Sequence, residues 1–197
     1  MATTKDRILD AALVLFNERG TDNVTTNHIA EALKMSPGNL YYHYRNKAEI
    51  VRALFARIQA EWAVNYAVPP ATMPSIPMME AMVAGNFEIQ SRYRFFFRDL
   101  TLLLNADPEL AAAYRANREQ GLGNTKFLIS LFVDAGVLNP VGDAEALDDL
   151  AQLLWLVGDF WLVFKDTGGA VFSPADSEQG VRLFRRLLTP HIKGQSK

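Results

Sequence analysis

The chain has 197 residues, 49% apolar and 21% charged, with a net charge of −2, an ordinary globular composition long enough for one generous domain or a small domain joined to a larger one. It contains no cysteine, which excludes a disulfide framework, thiolate metal sites and thiol catalysis, and fits a reducing compartment such as the cytoplasm. The N-terminal MATTKDRILD lacks the apolar core of a signal peptide, and the longest apolar run, Leu153 to Phe164, is broken by Gly158 and Asp159 and is too short to span a bilayer.

Thr3 and Asp6 have the spacing of a capping box, and Ile8, Ala12, Leu15 and Phe16 share one helical face. They predict a first helix over about residues 4–19, stopped by Gly20. VTTNHIAEAL opens a short second helix, with Thr25 or Thr26 as N-cap and a narrow apolar stripe of Ile29, Ala30 and Leu33. After the break at KMS, Ser36 caps a third helix with Pro37 at its first position, where a missing N–H costs nothing. Asn46 with Glu49 forms another capping box and begins a fourth helix that runs to about Tyr66.

Ala67 to Pro77 holds four of the chain's nine prolines and is the best candidate boundary. Beyond it the spacing predicts one helix from about Met78 through FFFRDLTLLL and another starting at Asp107-Pro108. A third covers Glu145 to Asp166, and a last one covers about Asp176 to Ile192. No stretch alternates as strands do, and no internal repeat is present. The predicted fold class is all-α. An N-terminal three-helix domain occupies residues 1–48, the fourth helix at about 47–66 is a connector, and a larger helical domain covers 67–197.

Two short helices joined by a tight turn, with small apolar residues on their facing sides, describe a helix-turn-helix, whose second helix enters the DNA major groove with its N-terminal residues leading. Here those residues are Pro37, Gly38 and Asn39. Gly38 removes a side chain where backbone must come close, and Asn39 can donate to and accept from a base edge. Leu40 and Tyr44, one turn apart, face inward, while Tyr41 and Tyr42 project outward, where phenol hydroxyls can bond phosphate oxygens. Lys47 adds a second phosphate anchor beside the next helix start, and Thr26 and Asn27 meet phosphates across the groove. Charge agrees: residues 1–60 carry eight Lys/Arg against six Asp/Glu, a net of +2, whereas the remainder carries twelve against sixteen, a net of −4.

Over about residues 5–60 these segments, RILDAALVLFNERG and then TTNHIAEALKMSPGNLYYHYRNKAEIV, resemble the TetR family of bacterial one-component transcriptional regulators. The order of small residues, the SPG turn, the LYYHY core and the N-K pair together make the resemblance specific. It implies backbone contacts for Tyr41, Tyr42 and Lys47 and base reading by Gly38 and Asn39. Lys34 departs from the pattern, standing where many members have glycine; a non-glycine residue in a left-handed cap costs on the order of 1 kcal/mol. The resemblance further implies a second helical domain that binds an effector and dimerises.

That second part is rich in aromatic residues, most of which fill core and interface. Asp159 lies mid-helix among apolar neighbours, and a carboxylate there requires a partner or a solvated cavity. Arg98 and Asp99 interrupt another apolar run and can pair with each other. The expected effector site is a mainly apolar pocket with polar anchors, involving Phe97, Tyr114, Trp155 and Asp159. The segment 145–166 is apolar on more than one face and Val181, Phe184 and Leu188 form a stripe on the last helix. A homodimer interface including Trp161, Val181, Phe184 and Leu188 is therefore expected. Two recognition helices on one rigid body imply double-stranded DNA with an inverted repeat as target. An effector that shifts the fourth helix would change the separation of those helices and lower DNA affinity.

His28, His43 and His191 form no ligand set, so neither a metal site nor a cofactor is expected. An enzyme would need a nucleophile elbow, a phosphate loop, a dinucleotide fingerprint or a histidine-rich helix, and none occurs. A helical adaptor that has lost DNA binding is the other alternative; the intact Tyr41, Tyr42 and Lys47 argue against it.

Overall fold

The computed structural model describes residues 3–169 and 172–194. Among the described residues it is all-helical: α1 (Thr4–Arg19), α2 (Thr26–Ala32), α3 (Pro37–His43), α4 (Lys47–Asn65), α5 (Ile76–Arg92), α6 (Arg94–Arg98), α7 (Leu100–Ala106), α8 (Pro108–Asp134), α9 (Ala144–Thr167) and α10 (Pro174–Leu188). A 3-10 turn, Thr189–His191, follows α10, where Pro190 ends the helix that the sequence pattern carries to Ile192. Leu138 and Ile192 form an isolated antiparallel bridge. No described helix is long and apolar enough to cross a membrane.

The starts follow from side-chain capping. Thr3 Oγ1 accepts from the Asp6 N–H at 3.1 Å while Asp6 Oδ2 accepts from the Thr3 N–H at 3.0 Å. Asn46 Oδ1 accepts from the Glu49 N–H at 2.9 Å, but the Glu49 carboxylate reaches the Arg45 N–H instead of the cap residue's own. Asp107 Oδ1 receives the N–H groups of Glu109 and Leu110 at 3.0 and 3.2 Å, beginning α8 as its Asp-Pro pair predicts. The end of α2 is a Schellman turn: the Met35 N–H reaches Ala30 O and the Lys34 N–H reaches Glu31 O, both at 3.0 Å. Lys34 takes the left-handed position itself, with φ 53°, so the glycine-to-lysine departure leaves the turn intact.

The single helix expected from Met78 through the FFFRDLTLLL run is instead three, α5, α6 and α7. Three consecutive residues point about 100° apart around a helix, so burying all three requires a short helix enclosed on more than one side. Breaks at Tyr93 and Asp99 set α6 apart as such a helix, and Phe95, Phe96 and Phe97 on it are 0%, 0% and 5% exposed.

The chain divides into two compact units. The first comprises the chain as far as Glu61 together with Tyr93–Ala113. The second comprises Trp62–Arg92 and the chain from Tyr114 on, so the proline-rich segment lies inside the second unit. In the first unit Ile8, Phe16, Ile29, Leu40, Ile50 and Leu54 are fully enclosed. The Phe55 ring stacks on Phe96 at 5.0 Å, and Phe16 meets Phe95 at 5.2 Å. The expected Arg98–Asp99 pair forms, at 3.1 Å. Polar ties join the helices: Asp99 Oδ2 accepts from both the N–H and hydroxyl of Thr21, and Arg52 pairs with Asp107 at 2.8 Å.

In the second unit Met79, Ile129, Phe132, Leu138, Leu150, Leu154, Leu188 and Ile192 form one core cluster, and Val83, Phe87 and Leu162 form another. Gly180 brings α10 against that second cluster: a Cβ there would stand 2.5 Å from the Phe87 ring and 2.6 Å from Trp161. Gly180→Ala is expected to lower unfolding free energy by about 1–3 kcal/mol through overpacking, measured by urea denaturation.

Candidate functional site

The first site is the outer edge of α2 and α3. Leu40 is 0% exposed and Tyr44 8%, so this side of α3 is held in the core of the first unit. The opposite side faces solvent: Gly38 and Asn39 are exposed, and Tyr42 is 85% exposed. Ser36 Oγ accepts the Asn39 N–H at 3.2 Å, which leaves the Asn39 side chain free of capping duty. A Cβ built at Gly38 meets no atom within 4 Å. Nothing in the chain's own packing therefore requires glycine there, although glycine inside a helix costs about 1 kcal/mol relative to alanine.

Tyr41 and Thr26 are joined by their hydroxyls at 3.1 Å, a bond that ties α3 to α2. Asn27 beside them is exposed. His28 completes the cap of α2: its Nδ1 accepts the Thr25 N–H at 3.3 Å. Lys47 donates from Nζ to Thr21 O at 2.6 Å, and an ammonium has two further donors. All eight predicted residues, Thr26, Asn27, Pro37, Gly38, Asn39, Tyr41, Tyr42 and Lys47, thus lie on α2, on α3 or at the start of α4.

The second site is a buried polar cluster between α5, α8 and α9 in the second unit. Trp155 and Asp159 stand one turn apart on α9, and Tyr114, Arg118 and Gly121 follow one face of α8. The two faces meet closely, since a Cβ at Gly121 would stand 2.1 Å from the Trp155 ring. From α5, Asn86 and Gln90 both donate side-chain N–H groups to Gly158 O. Asn86 is completed by the Trp62 indole N–H at 2.8 Å. Among the described residues, three buried polar atoms have no hydrogen-bond partner: Gln90 Oε1, Trp155 Nε1 and Asp159 Oδ2.

Burial pushes the Asp159 carboxyl up to about 7, against a smaller opposing pull from Arg118. Burial, together with the Asp159 charge, also raises the Tyr114 and Tyr66 hydroxyls. Tyr66 is 37% exposed as a residue, but its hydroxyl is the desolvated end. Phe97 belongs to the first unit, where its ring meets Phe96 edge-on at 5.7 Å, whereas Tyr114, Trp155 and Asp159 belong to the second.

These two arrangements can be set beside known proteins. The family profile described as "Bacterial regulatory proteins, tetR family" matches residues 8–54, and that described as "Bacterial transcriptional repressor" matches residues 57–197. The chain belongs to the TetR family of bacterial transcriptional regulators. It is a regulator and not an enzyme. A TetR-family transcriptional regulator from Marinobacter aquaeolei VT8 is 32% identical, superimposes with a TM-score of 0.89, and is matched over 98% of this chain and 93% of that one. Among curated proteins, the negative transcriptional regulator IcaR of the icaADBC biofilm operon from Staphylococcus epidermidis is 33% identical over 94 residues, 48% of this chain and 44% of that protein. The class D tetracycline repressor from Escherichia coli is 37% identical over 67 residues, 34% of this chain and 30% of that repressor. The chain thus spans less than half the length of the curated relatives it matches.

TetR-family regulators act as dimers, and the residues expected at an interface divide. Leu188 is 1% exposed inside the core of its own second unit, which removes its side chain from any interface and corrects that expectation. Phe184 and Val181 are half-buried against the core clusters, and Val181 also lines an open groove of about 1000 Å³ between α5 and α10. Trp161 donates its indole N–H to Asp176 O at 2.7 Å and stacks on Phe164. A larger exposed surface lies outside the residues expected from the sequence: Leu153, Leu156, Phe160 and Phe164 on α9 are 47%, 55%, 40% and 67% exposed. Their i, i+3, i+7, i+11 spacing marks one face of a helix already recognisable as apolar on two. Gln90 and Tyr66 were also missed; Gln90 lies in the mixed stretch NFEIQSR, where nothing in the sequence sets it apart.

Asp159 gives a signed prediction. Its folded-state pKa lies above the ordinary 3.8, so the folded state keeps a proton that the unfolded chain releases, and stability falls as pH rises between about 4 and 7. Asp159→Asn is expected to stabilise the protein more at pH 8 than at pH 4, by up to about 4 kcal/mol, measured by denaturant unfolding at both values. An equal effect at both would contradict the assignment.

Proposed function

We propose that this chain is a ligand-responsive repressor that binds an inverted-repeat operator as a homodimer and is released by a small, mostly apolar effector. The observation that carries the reading is the leading edge of α3. An unshielded glycine, an uncommitted asparagine and an 85%-exposed tyrosine stand together on a helix whose other side is locked in the core. In a groove, Pro37, Gly38 and Asn39 approach the bases, Tyr42 and Lys47 bond phosphate oxygens, and Thr26, Asn27 and Tyr41 meet the opposite backbone. Gly38 allows the approach that a side chain would block.

The exposed stripe Leu153, Leu156, Phe160 and Phe164 supports pairing of two copies through α9. Four large apolar residues in a row on one helix are more than an isolated surface accommodates. The unpartnered cluster at Asp159 supports an effector site in the second unit. Because α4 runs unbroken through the Glu61–Trp62 division, an effector that displaces its end would alter the spacing of the two recognition helices and weaken simultaneous engagement of both half-sites. The repressing sense follows the relatives that are named as a negative regulator and a repressor. Operator DNA places the regulator in the cytoplasm.

Replacing Tyr42 by Phe and Lys47 by Ala together is expected to lower affinity for operator DNA at least about tenfold. The slope of log K against log salt should become shallower by about 2, one lost lysine–phosphate contact per protomer. Unchanged affinity, measured by fluorescence anisotropy over a salt series, would remove these residues from the interface.

A further inference from the structure

The buried cluster of the second unit is specific about what it can take. Two of its three unpartnered atoms, Gln90 Oε1 and Asp159 Oδ2, are hydrogen-bond acceptors. Gln90 is 1% exposed and Asp159 8%, so neither can turn to bulk solvent. Both stand at the same turn of α9, because the Gln90 amide is anchored on Gly158 O, the residue before Asp159. Asn86, held on Gly158 O and bonded by the Trp62 indole N–H, makes no hydrogen bond to either of them. The charged and titratable groups that face Asp159 are Tyr66, after α4, and Tyr114 and Arg118, on α8. Arg118 is exposed and acts on Asp159 through its field alone, without an ion pair among the described residues.

A ligand completing this cluster therefore brings N–H groups to two acceptors and, for the carboxylate, positive charge. An alcohol offers one O–H and no charge; an anion would be repelled. Aromatic residues stand near the carboxylate, Tyr66 and Tyr114 within reach of its charge and Trp155 one turn before it on α9, and aromatic faces attract cations. We propose that the ligand of the second unit is a lipophilic monocation, a protonated primary amine or amidine on an apolar body, whose N–H groups are received by Asp159 and Gln90. The Trp155 indole N–H takes an acceptor atom on the ligand's body. This rests on the effector site of the proposed function and names its chemical class.

The buried carboxyl makes the preference depend on pH. With its pKa raised to about 7, Asp159 is half protonated near neutrality, and only its ionised form receives a cation. The tyrosine hydroxyls, held above their usual range, stay neutral throughout.

The test uses three isosteres, phenylbutylamine, phenylbutanol and phenylbutyrate, titrated calorimetrically into the full-length protein, with operator affinity measured in parallel. At pH 8 the amine is expected to bind at least about tenfold tighter than the alcohol, with the carboxylate weakest. From pH 8 to pH 6 the amine should lose about tenfold while the alcohol holds constant. Asp159→Asn should abolish the amine's advantage and its pH dependence yet leave alcohol binding in place, which separates lost recognition from lost folding. Gln90→Leu should weaken the amine more than the alcohol. Equal or stronger binding of the alcohol or carboxylate at pH 8, binding of none of the three, or a preference that survives Asp159→Asn would overturn the proposal. If the alcohol or the carboxylate releases operator, the effector reading stands and the cationic class falls. If the amine binds preferentially but leaves operator affinity unchanged, the class stands and the effector reading falls.

Discussion

Helix α3 has seven residues, far fewer than the roughly 12–15 at which an isolated helix becomes even marginally stable in water. Its existence depends on Leu40 and Tyr44, one turn apart and buried at 0% and 8%. Ser36 and Pro37 begin the helix, and the Tyr41–Thr26 hydroxyl pair fastens it sideways, but burial of that one face decides its rotation. Once Leu40 points inward, Asn39 and Tyr42 must point outward. The character of the DNA-facing edge is thus a consequence of core packing on the other side, and a polar residue at position 40 would disorganise an interface it never touches.

The second unit shows the reverse economy. Its core is well filled, and glycines admit close contacts at Trp155 and Phe87. Yet it leaves three polar atoms unpaired at one place, where each unsatisfied group costs about 1–3 kcal/mol. A protein selected for stability alone would put leucine or phenylalanine there. Stability forgone at one concentrated spot is what a site for an external partner requires, and the same carboxylate that costs stability supplies the discrimination.

How much of this the sequence discloses depends on how local the cause is. Caps, turns and the faces of α1 to α4 are set by residues three or four apart, so Thr3, Thr25, Ser36, Asn46 and Asp107 announce helix starts directly. Asp159 is conspicuous as a charge inside an apolar segment. The breaks at Tyr93 and Asp99 were illegible because every residue from 78 to 104 is compatible with a helix; the demand to bury three consecutive phenylalanines comes from tertiary packing. Which face of α9 stays exposed was hidden for the same reason. Both faces are apolar, and only contacts with α5 and α10 show that Leu150, Leu154 and Leu162 are inside while Leu156, Phe160 and Phe164 are not.

The measurement that tests the central claim most directly is selection of bound duplexes from a random DNA pool by the full-length protein. Strong enrichment of a two-fold symmetric site is expected, with half-site centres about one helical turn or a multiple of it apart. Enrichment lost on replacing Leu40 by Asp, in a variant whose second unit remains folded, would tie that specificity to the rotation of α3. No enrichment, or a single asymmetric site, would contradict a pair of recognition helices carried by one dimer.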